Sequence, residues 1–335
     1  MRIEKCFFTC LVVLASMSYS LVGQAKDSSK LFCIEQNGKD GYIDSTGKIV
    51  INPEFDAAGS FSEGLARVTF GREPLAKYGY IDKTGKIVIN PQFDGAKEFS
   101  EGLAAVKIDD KWGYIDKTGR IVINPKFDLG YSFSEGLALV MIGQVFLGKY
   151  GYIDKTGKYV LNPQFDGADY FNEGLASVRI GGKYGYIDKT GKYVVNPKFV
   201  LGGGFSEGLA WVAIGGKDGY IDKTGKIVIN PQFDAGGSFY EGLAAVEIDD
   251  EYGYIAKTGK IVIKPQFDWG GSFSQGLASV RIGDKYGFID KTGKMVISPQ
   301  FDGADYFNEG LASVRIGGKW GYIDKTGKYV WKPTD

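Results

Sequence analysis

The glycine of a G-Y-I-D type segment recurs at Gly41, Gly79, Gly113, Gly151, Gly185, Gly219, Gly253, Gly287 and Gly321, at spacings of 38, 34, 38 and then five times 34 residues. A chain that repeats at a fixed period folds as an array of like units. Its 335 residues are therefore better counted as repeat modules than as domains of roughly 150 residues.

A 34-residue period also suits paired helices. Each copy, however, carries several glycines and a proline, and its apolar residues alternate with period two, which points to strands. In one copy, Gly102 to Ile108 (GLAAVKI), Lys111 to Asp116 (KWGYID) and Arg120 to Asn124 (RIVIN) read as three strands. Asp109-Asp110 joins the first two, replaced elsewhere by pairs such as Gly181-Gly182 and Gly215-Gly216, residues that tolerate the positive φ of a two-residue hairpin. Asp116-Lys117-Thr118-Gly119 suits a type I turn closed by a left-handed glycine. The expected fold is all-β, a tandem array of about nine three-stranded antiparallel meanders.

The connections, such as NPQFDGAKEFSEG from Asn90 to Gly102, open with a strand-ending proline and carry two phenylalanines six residues apart, Phe93 and Phe99 in this copy. These two positions hold 16 of the 22 phenylalanines, and rings of that size require burial between adjacent sheets. One meander cannot offset the entropy of ordering it, so stacking is obligatory. Nine units of three strands fit poorly with propellers, which usually have four to eight four-stranded blades. The preferred arrangement is an open or superhelical, solenoid-like array, with a closed propeller-like ring as the alternative. In the first unit, LFCIEQNGKDGYID from Leu31 to Asp44, Gln36 replaces an apolar residue, as expected of a cap whose outer side meets water.

KWGYIDKTG, at Lys111 to Gly119 and again at Lys319 to Gly327, with Tyr for Trp in most other copies, resembles the WG-repeat (KWG) family of bacterial proteins. The resemblance covers about residues 31 to 335. It implies a β-repeat fold, often exported, and no particular activity. Asp40 and Asp218 stand at the Trp/Tyr position of two copies and interrupt an aromatic ladder.

Arg2 and Lys5 precede an apolar stretch from Cys6 to about Val22, and Gly23-Gln24-Ala25 offers small residues at a cleavage site. Residues 1–25 are expected to be a signal peptide and 26–30 a short linker, giving an exported protein, periplasmic or extracellular, with no membrane insertion after cleavage. Cys33 is then the only thiol, read as a small strand residue or as a bond to a second chain.

Forty basic and 40 acidic residues leave no positive excess for nucleic acid. There is no histidine, the usual base near neutral pH and the commonest zinc ligand. The acids of the D-K-T-G turns and of E-G-L-A recur in almost every copy, which suits turn geometry better than chemistry. No catalytic residue, metal site or cofactor is assigned.

Recognition is sought where the copies differ. Two of the variable strand positions are wholly apolar, Leu139 with Met141 and Trp211 with Ala213. The first pair adjoins an enlarged loop, Gly143 to Gly148, that contains Val145, Phe146 and Leu147. Either these residues form an exposed patch, or Phe146 and Leu147 fold back over Leu139 and Met141. The other enlarged loop, Gly71 to Ala76, occupies the same hairpin and should project from the same edge. The functional expectation is a non-catalytic binding or scaffold protein with a protein or cell-envelope partner, its candidate contacts being Leu139, Met141, Val145, Phe146, Leu147 and Trp211. The alternatives are a glycan-binding protein that uses Trp112, Tyr150, Tyr184, Tyr252, Tyr286 and Trp320 as stacking platforms, and a hydrolase built on a carboxylate pair.

Overall fold

The computed structural model describes residues 30–71, 75–144 and 146–332. The described residues form strands and turns only, arranged as nine small antiparallel sheets, seven of four strands and two of three. These sheets are the blades of a closed nine-bladed propeller.

Blade 3 shows the local logic. Its strands Leu103–Ile108, Lys111–Asp116 and Ile121–Phe127 are the three expected from the sequence. Asp109 and Asp110 have φ of 47° and 63°, as a two-residue hairpin with the strand twist demands. Asp116 starts the next turn. Its carboxylate accepts the Thr118 N–H at 3.0 Å, the Thr118 hydroxyl at 2.6 Å and the Arg120 N–H at 3.1 Å.

The motif glycine has its own cause. The ladder between Trp112↔Phe127 and Tyr114↔Ile123 shifts register, and there a Cβ on Gly113 would stand 2.5 Å from the Ile123 carbonyl oxygen and 2.7 Å from the Pro125 nitrogen. Only glycine lets the two backbones approach so closely.

The connection contributes more than a loop. Gly95–Ala96 pairs with Lys107 and Val106 as a short fourth strand on the free edge of Leu103–Ile108. Two small residues carry no periodic signal, so the sequence reading assigned them to the linker.

Blades stack through the residues that the phenylalanine spacing singled out. One seam core joins Tyr80, Ile89 and Phe93 of blade 2 to Phe99, Val106 and Ile115 of blade 3, all nearly inaccessible to solvent. Tyr80 and Phe99 meet edge to face at 4.9 Å, and the same pairing recurs at Tyr114–Phe133 and Tyr220–Phe239. Each buried ring contributes on the order of 2 to 3 kcal/mol by area. The tyrosine hydroxyl then donates across the seam to a carbonyl 17 residues on, as from Tyr80 to Lys97 at 2.7 Å and from Tyr114 to Tyr131 at 2.8 Å.

The first and last described blades meet, which corrects the preference for an open or superhelical array in favour of the ring. Blade 1 comprises β1 (Phe32–Gln36), β2 (Lys39–Ile43) and β3 (Ile49–Phe55). Phe32, Ile34 and Ile43 pack against Leu311, Tyr322, Val330 and Trp331 of blade 9. The physical reason is that both terminal flanks are apolar, so neither can face water as a cap does. Gln36, read as the capping residue, sits half-buried at the end of β1.

Candidate functional site

The recurrent acids are engaged in the scaffold. Glu101 has φ of 54°, and its carboxylate reaches blade 4, where it accepts the Gly136 N–H at 3.0 Å and lies 3.1 Å from Lys155 Nζ. Equivalent latches join Glu135 to Gly174 and Lys189, and Glu207 to Gly242 and Lys257. The turn aspartates are held below the ordinary carboxylate range, Asp116 down to about 2, first by the threonine hydroxyl and then by backbone N–H groups. Asp40 and Asp218, at the aromatic position, each accept an N–H from the following blade, Ala58 at 2.7 Å and Gly236 at 2.9 Å. Burial raises both carboxyl groups.

The predicted contact residues separate into two groups. Leu139 and Met141 are buried, Leu139 within the seam core of Tyr152, Phe165 and Phe171. Phe146 and Leu147 do not cover them, because their exposures are 100% and 78%. What closes over Met141 is Gly148, where a Cβ would stand 2.8 Å from the methionine sulfur. Val145 lies outside the described residues, as do Arg72, Glu73 and Pro74 of the other loop and the expected signal peptide at residues 1–25. Trp211 is half-buried, its indole so close over Gly203 that a Cβ there would fall 2.1 Å from the ring nitrogen.

Phe146 is held in an unusual way. The turn is closed by Leu147 N–H to the Gln144 carbonyl at 3.0 Å, and Phe146 takes φ of 78°, a conformation suited to glycine. A fully exposed ring in a glycine-type conformation is explained neither by packing nor by backbone preference.

Two residues escaped the sequence reading. Val200 and Leu201 in blade 6 are 55% and 51% exposed. In every other copy the position of Val200 is aspartate, whose carboxylate binds the hairpin N–H of its own blade, as Asp128 binds Gly143 and Asp166 binds Gly181, both at 2.8 Å. That departure was the available signal. It also places Val200 at the hairpin end of blade 6, the end from which the 143–148 loop leaves blade 4 and the 71–76 loop leaves blade 2. Leu75, in the latter, is 82% exposed. One rim thus carries apolar side chains on alternate blades.

The aromatic ladder is less available. Trp112, Tyr150, Tyr184, Tyr252 and Tyr286 are half-buried against seam cores, and Trp320 is 45% exposed. Cys33 is a free thiol, part-buried, pushed well above its ordinary pKa by burial.

The solved structures to which this chain is similar share little sequence with it. PorZ, a bacterial surface component of the type-IX secretion system of Porphyromonas gingivalis, is 10% identical with a TM-score of 0.35, over 88% of this chain and 45% of that one. The extracellular domain of the hybrid two component system BT4673 from B. thetaiotaomicron is 13% identical with a TM-score of 0.38, over 82% of this chain and 44% of that one. KlHsv2 is 9% identical with a TM-score of 0.40, over 78% and 94%. The chain spans less than half the length of the first two. No curated protein matches. The model of the WG containing repeat, by contrast, matches eight times, at residues 41–71, 78–112, 112–146, 150–184, 184–217, 219–252, 252–286 and 286–320, and the chain belongs to that family.

Proposed function

We propose that this is an exported, non-catalytic binding or scaffold protein that docks a protein partner, free or in the cell envelope, on its hairpin rim. The contacts are Phe146 and Leu147 on blade 4 and Val200 and Leu201 on blade 6, with Trp211 of the same blade half-buried over Gly203. The observation that carries the reading is Phe146, a large apolar ring wholly in solvent on a backbone conformation that favours glycine. Such a residue lowers solubility and costs backbone strain, and contact with a partner offsets both. The non-catalytic part is supported by the acids, whose oxygens are spent in turns and blade latches.

The test compares partners recovered from envelope and culture-medium extracts by the parent, by Phe146→Gly with Leu147→Ser, and by Val200→Asp with Leu201→Gly. The first pair relaxes the turn and the second gives blade 6 the Asp-Gly of blades 3, 5 and 9, so both proteins should fold. A partner bound by the parent and lost by either variant, then shown to bind directly when purified, supports the rim. Equal recovery of every partner by all three removes it.

A further inference from the structure

The break at Val200 removes more than one side chain. Six seams carry the same carboxylate bridge, in which one oxygen of the connection aspartate faces the hairpin lysine of the preceding blade and the other accepts the first hairpin N–H of its own blade. Asp56 lies 2.6 Å from Lys39 Nζ and 2.8 Å from the Gly71 nitrogen, and Asp302 lies 2.5 Å from Lys285 Nζ and 2.7 Å from the Gly317 nitrogen. Lysine and aspartate are 17 residues apart, aspartate and hairpin N–H 15.

Counted the same way, the seam between blades 5 and 6 sets Lys183 and Gly215 on either side of Val200. Both donors are kept and the acceptor between them is lost. Lys183 and Gly215 are exposed, and among the described residues neither the ammonium nor the N–H has a hydrogen-bond or ion-pair partner. Valine ends at its γ carbons, one bond short of the aspartate oxygens, so it does not fill the place between the donors. Its backbone has also left the ladder. The equivalent Asp166 N–H donates to the Arg179 carbonyl at 2.8 Å, whereas in blade 6 the ladder stops at the bond from Ala213 N–H to the Leu201 carbonyl, 3.0 Å. The other departure from the pattern keeps the acceptor: Glu251 replaces the lysine of blade 7, while Asp268 still accepts the Gly283 N–H at 2.6 Å.

From the two retained donors, the missing oxygens and six internal examples of what fills such a place, we infer that Lys183 and Gly215 form a carboxylate-binding site whose ligand is an aspartate or glutamate side chain of the rim partner. The inference rests on the docking proposed above and names the chemistry of its blade 6 contact. A hydrogen bond to an ionised acceptor is about twice as strong as a neutral one, and two donors on one carboxylate also fix its orientation. Val200 and Leu201, beside the donors, receive an apolar neighbour of that acid. The contact therefore selects an acidic residue next to an apolar one, and rejects a basic residue through Lys183.

The test needs no partner. Acetyl-Leu-Asp-Leu-amide and its Asn counterpart are titrated into the full chain, isotope-labelled at glycine, and the Gly215 amide signal is followed by NMR. Gly215→Asn identifies that signal, since blade 1 has Asn37 at the same hairpin position with φ of 54°. The aspartyl peptide is expected to shift the signal saturably and to bind at least about tenfold tighter than the asparaginyl one. Lys183→Gln should bring the two peptides to equal, weak affinity. Val200→Asp should move the Gly215 signal by itself and stop the aspartyl peptide from moving it further. Acetate, which lacks the leucines, should bind more weakly than the aspartyl peptide. No saturable shift, equal affinity of the two peptides for the parent, a preference that survives Lys183→Gln, continued binding in Val200→Asp, or acetate as tight as the peptide each overturns the assignment. All of this is read at Gly215 with no rim partner present, so failure here strikes the carboxylate site alone, whereas equal recovery of every partner from extracts strikes the rim and leaves the titration standing.

Discussion

The Tyr322 hydroxyl donates to the Cys33 carbonyl at 2.8 Å across 289 positions of sequence, and the rings of Tyr322 and Phe32 meet edge to face at 5.4 Å. At the other seams the tyrosine finds its carbonyl 17 residues on and its ring partner within the connection, as in Tyr42 with Gly59 and Phe61. The closing seam thus rebuilds the standard contact from β1. Beside it, Lys30 binds the Asn308 side chain at 2.8 Å and lies 3.6 Å from Glu309.

Closure is therefore measurable at single residues. Phe32→Ala should cost about 3 to 5 kcal/mol, as expected for a buried aromatic. Tyr322→Phe should cost about 0.5 to 1.5 kcal/mol through the lost hydrogen bond. Both are read as shifts of the urea midpoint at constant slope. In an open array Tyr322 would face water at a free end, and Tyr322→Phe would leave the midpoint unchanged. Blade 8 supplies the converse, since Phe288 occupies the tyrosine position without a hydroxyl. Phe288→Tyr should stabilise by about 1 kcal/mol by supplying the missing bond.

The motif glycine is predicted to be replaceable nowhere in the array. Gly113→Ala places a methyl 2.5 Å from the Ile123 carbonyl oxygen, and Gly151 and Gly219 face Leu161 and Ile229 at 2.6 Å. The obstacle is backbone held in a ladder, so the strand itself must shift, at a cost of about 1 to 3 kcal/mol or more. Gly102→Ala is the control, since nothing stands within 4 Å of its Cβ and its penalty comes only from φ of 88°. A smaller midpoint loss for Gly113→Ala than for Gly102→Ala would contradict the close-approach explanation.

The strands, both turns and the two phenylalanine positions were legible because each is set by residues within one period. The fourth strand was not, since Gly95–Ala96 has no alternation to read. Nor was closure, which depends on flanks that meet only after nine blades. Leu139 and Met141, whose exposure alternation left open, are buried for a related reason. A blade is covered on both faces by its neighbours, and Leu137–Ile142 is buried at five consecutive positions, so alternation within such a strand does not separate core from surface. Phe146 and Leu147 are exposed because a hairpin loop escapes that constraint, and Val200 was visible only as a break in a repeated aspartate.

Acid should loosen the array through its turns. Asp44, Asp82, Asp116, Asp154, Asp188, Asp222, Asp290 and Asp324 are all held below the ordinary range, with the threonine hydroxyl the largest cause. A depressed folded-state pKa stabilises fully above the unfolded value of about 3.9 and is lost as pH falls through the folded value. Asp116, at about 2, sets the lower end of that window. Stability should be flat near neutral pH and fall between about 4 and about 2. Thr118→Val should raise the Asp116 pKa toward the unfolded value, read by carboxyl NMR titration. An unchanged titration would remove the hydroxyl from the explanation.

The blade latches offer a gain instead of a loss. Gln275 stands where the other latches have glutamate and accepts the Gly310 N–H at 2.9 Å, while Lys325 donates to the Gln275 backbone carbonyl at 2.8 Å. Gln275→Glu should recreate the pair seen between Glu241 and Lys291, 3.0 Å apart. Both groups of such a pair are partly exposed, so the gain should be only about 0.2 to 1 kcal/mol and should vanish in about 1 M salt. A gain that survives high salt would mean that the glutamate acts through some contact other than the ion pair.

Stability and recognition are expected to oppose each other at Val200. In blade 5 the equivalent Asp166 accepts the Gly181 N–H at 2.8 Å with one oxygen and faces Lys149 with the other. Val200→Asp gives blade 6 the same acceptor for Gly215 and the same partner for Lys183. The hydrogen bond should contribute about 0.5 to 1.5 kcal/mol, and the exposed ion pair little beyond that. Under the proposed rim contact, the valine gives up that stabilisation in favour of an apolar surface for the partner. The expected outcome is a higher urea midpoint together with weaker capture of the rim partner. A higher midpoint with unchanged capture would confine the rim contact to Phe146 and Leu147, and a lower midpoint would mean that blade 6 has repacked around the valine.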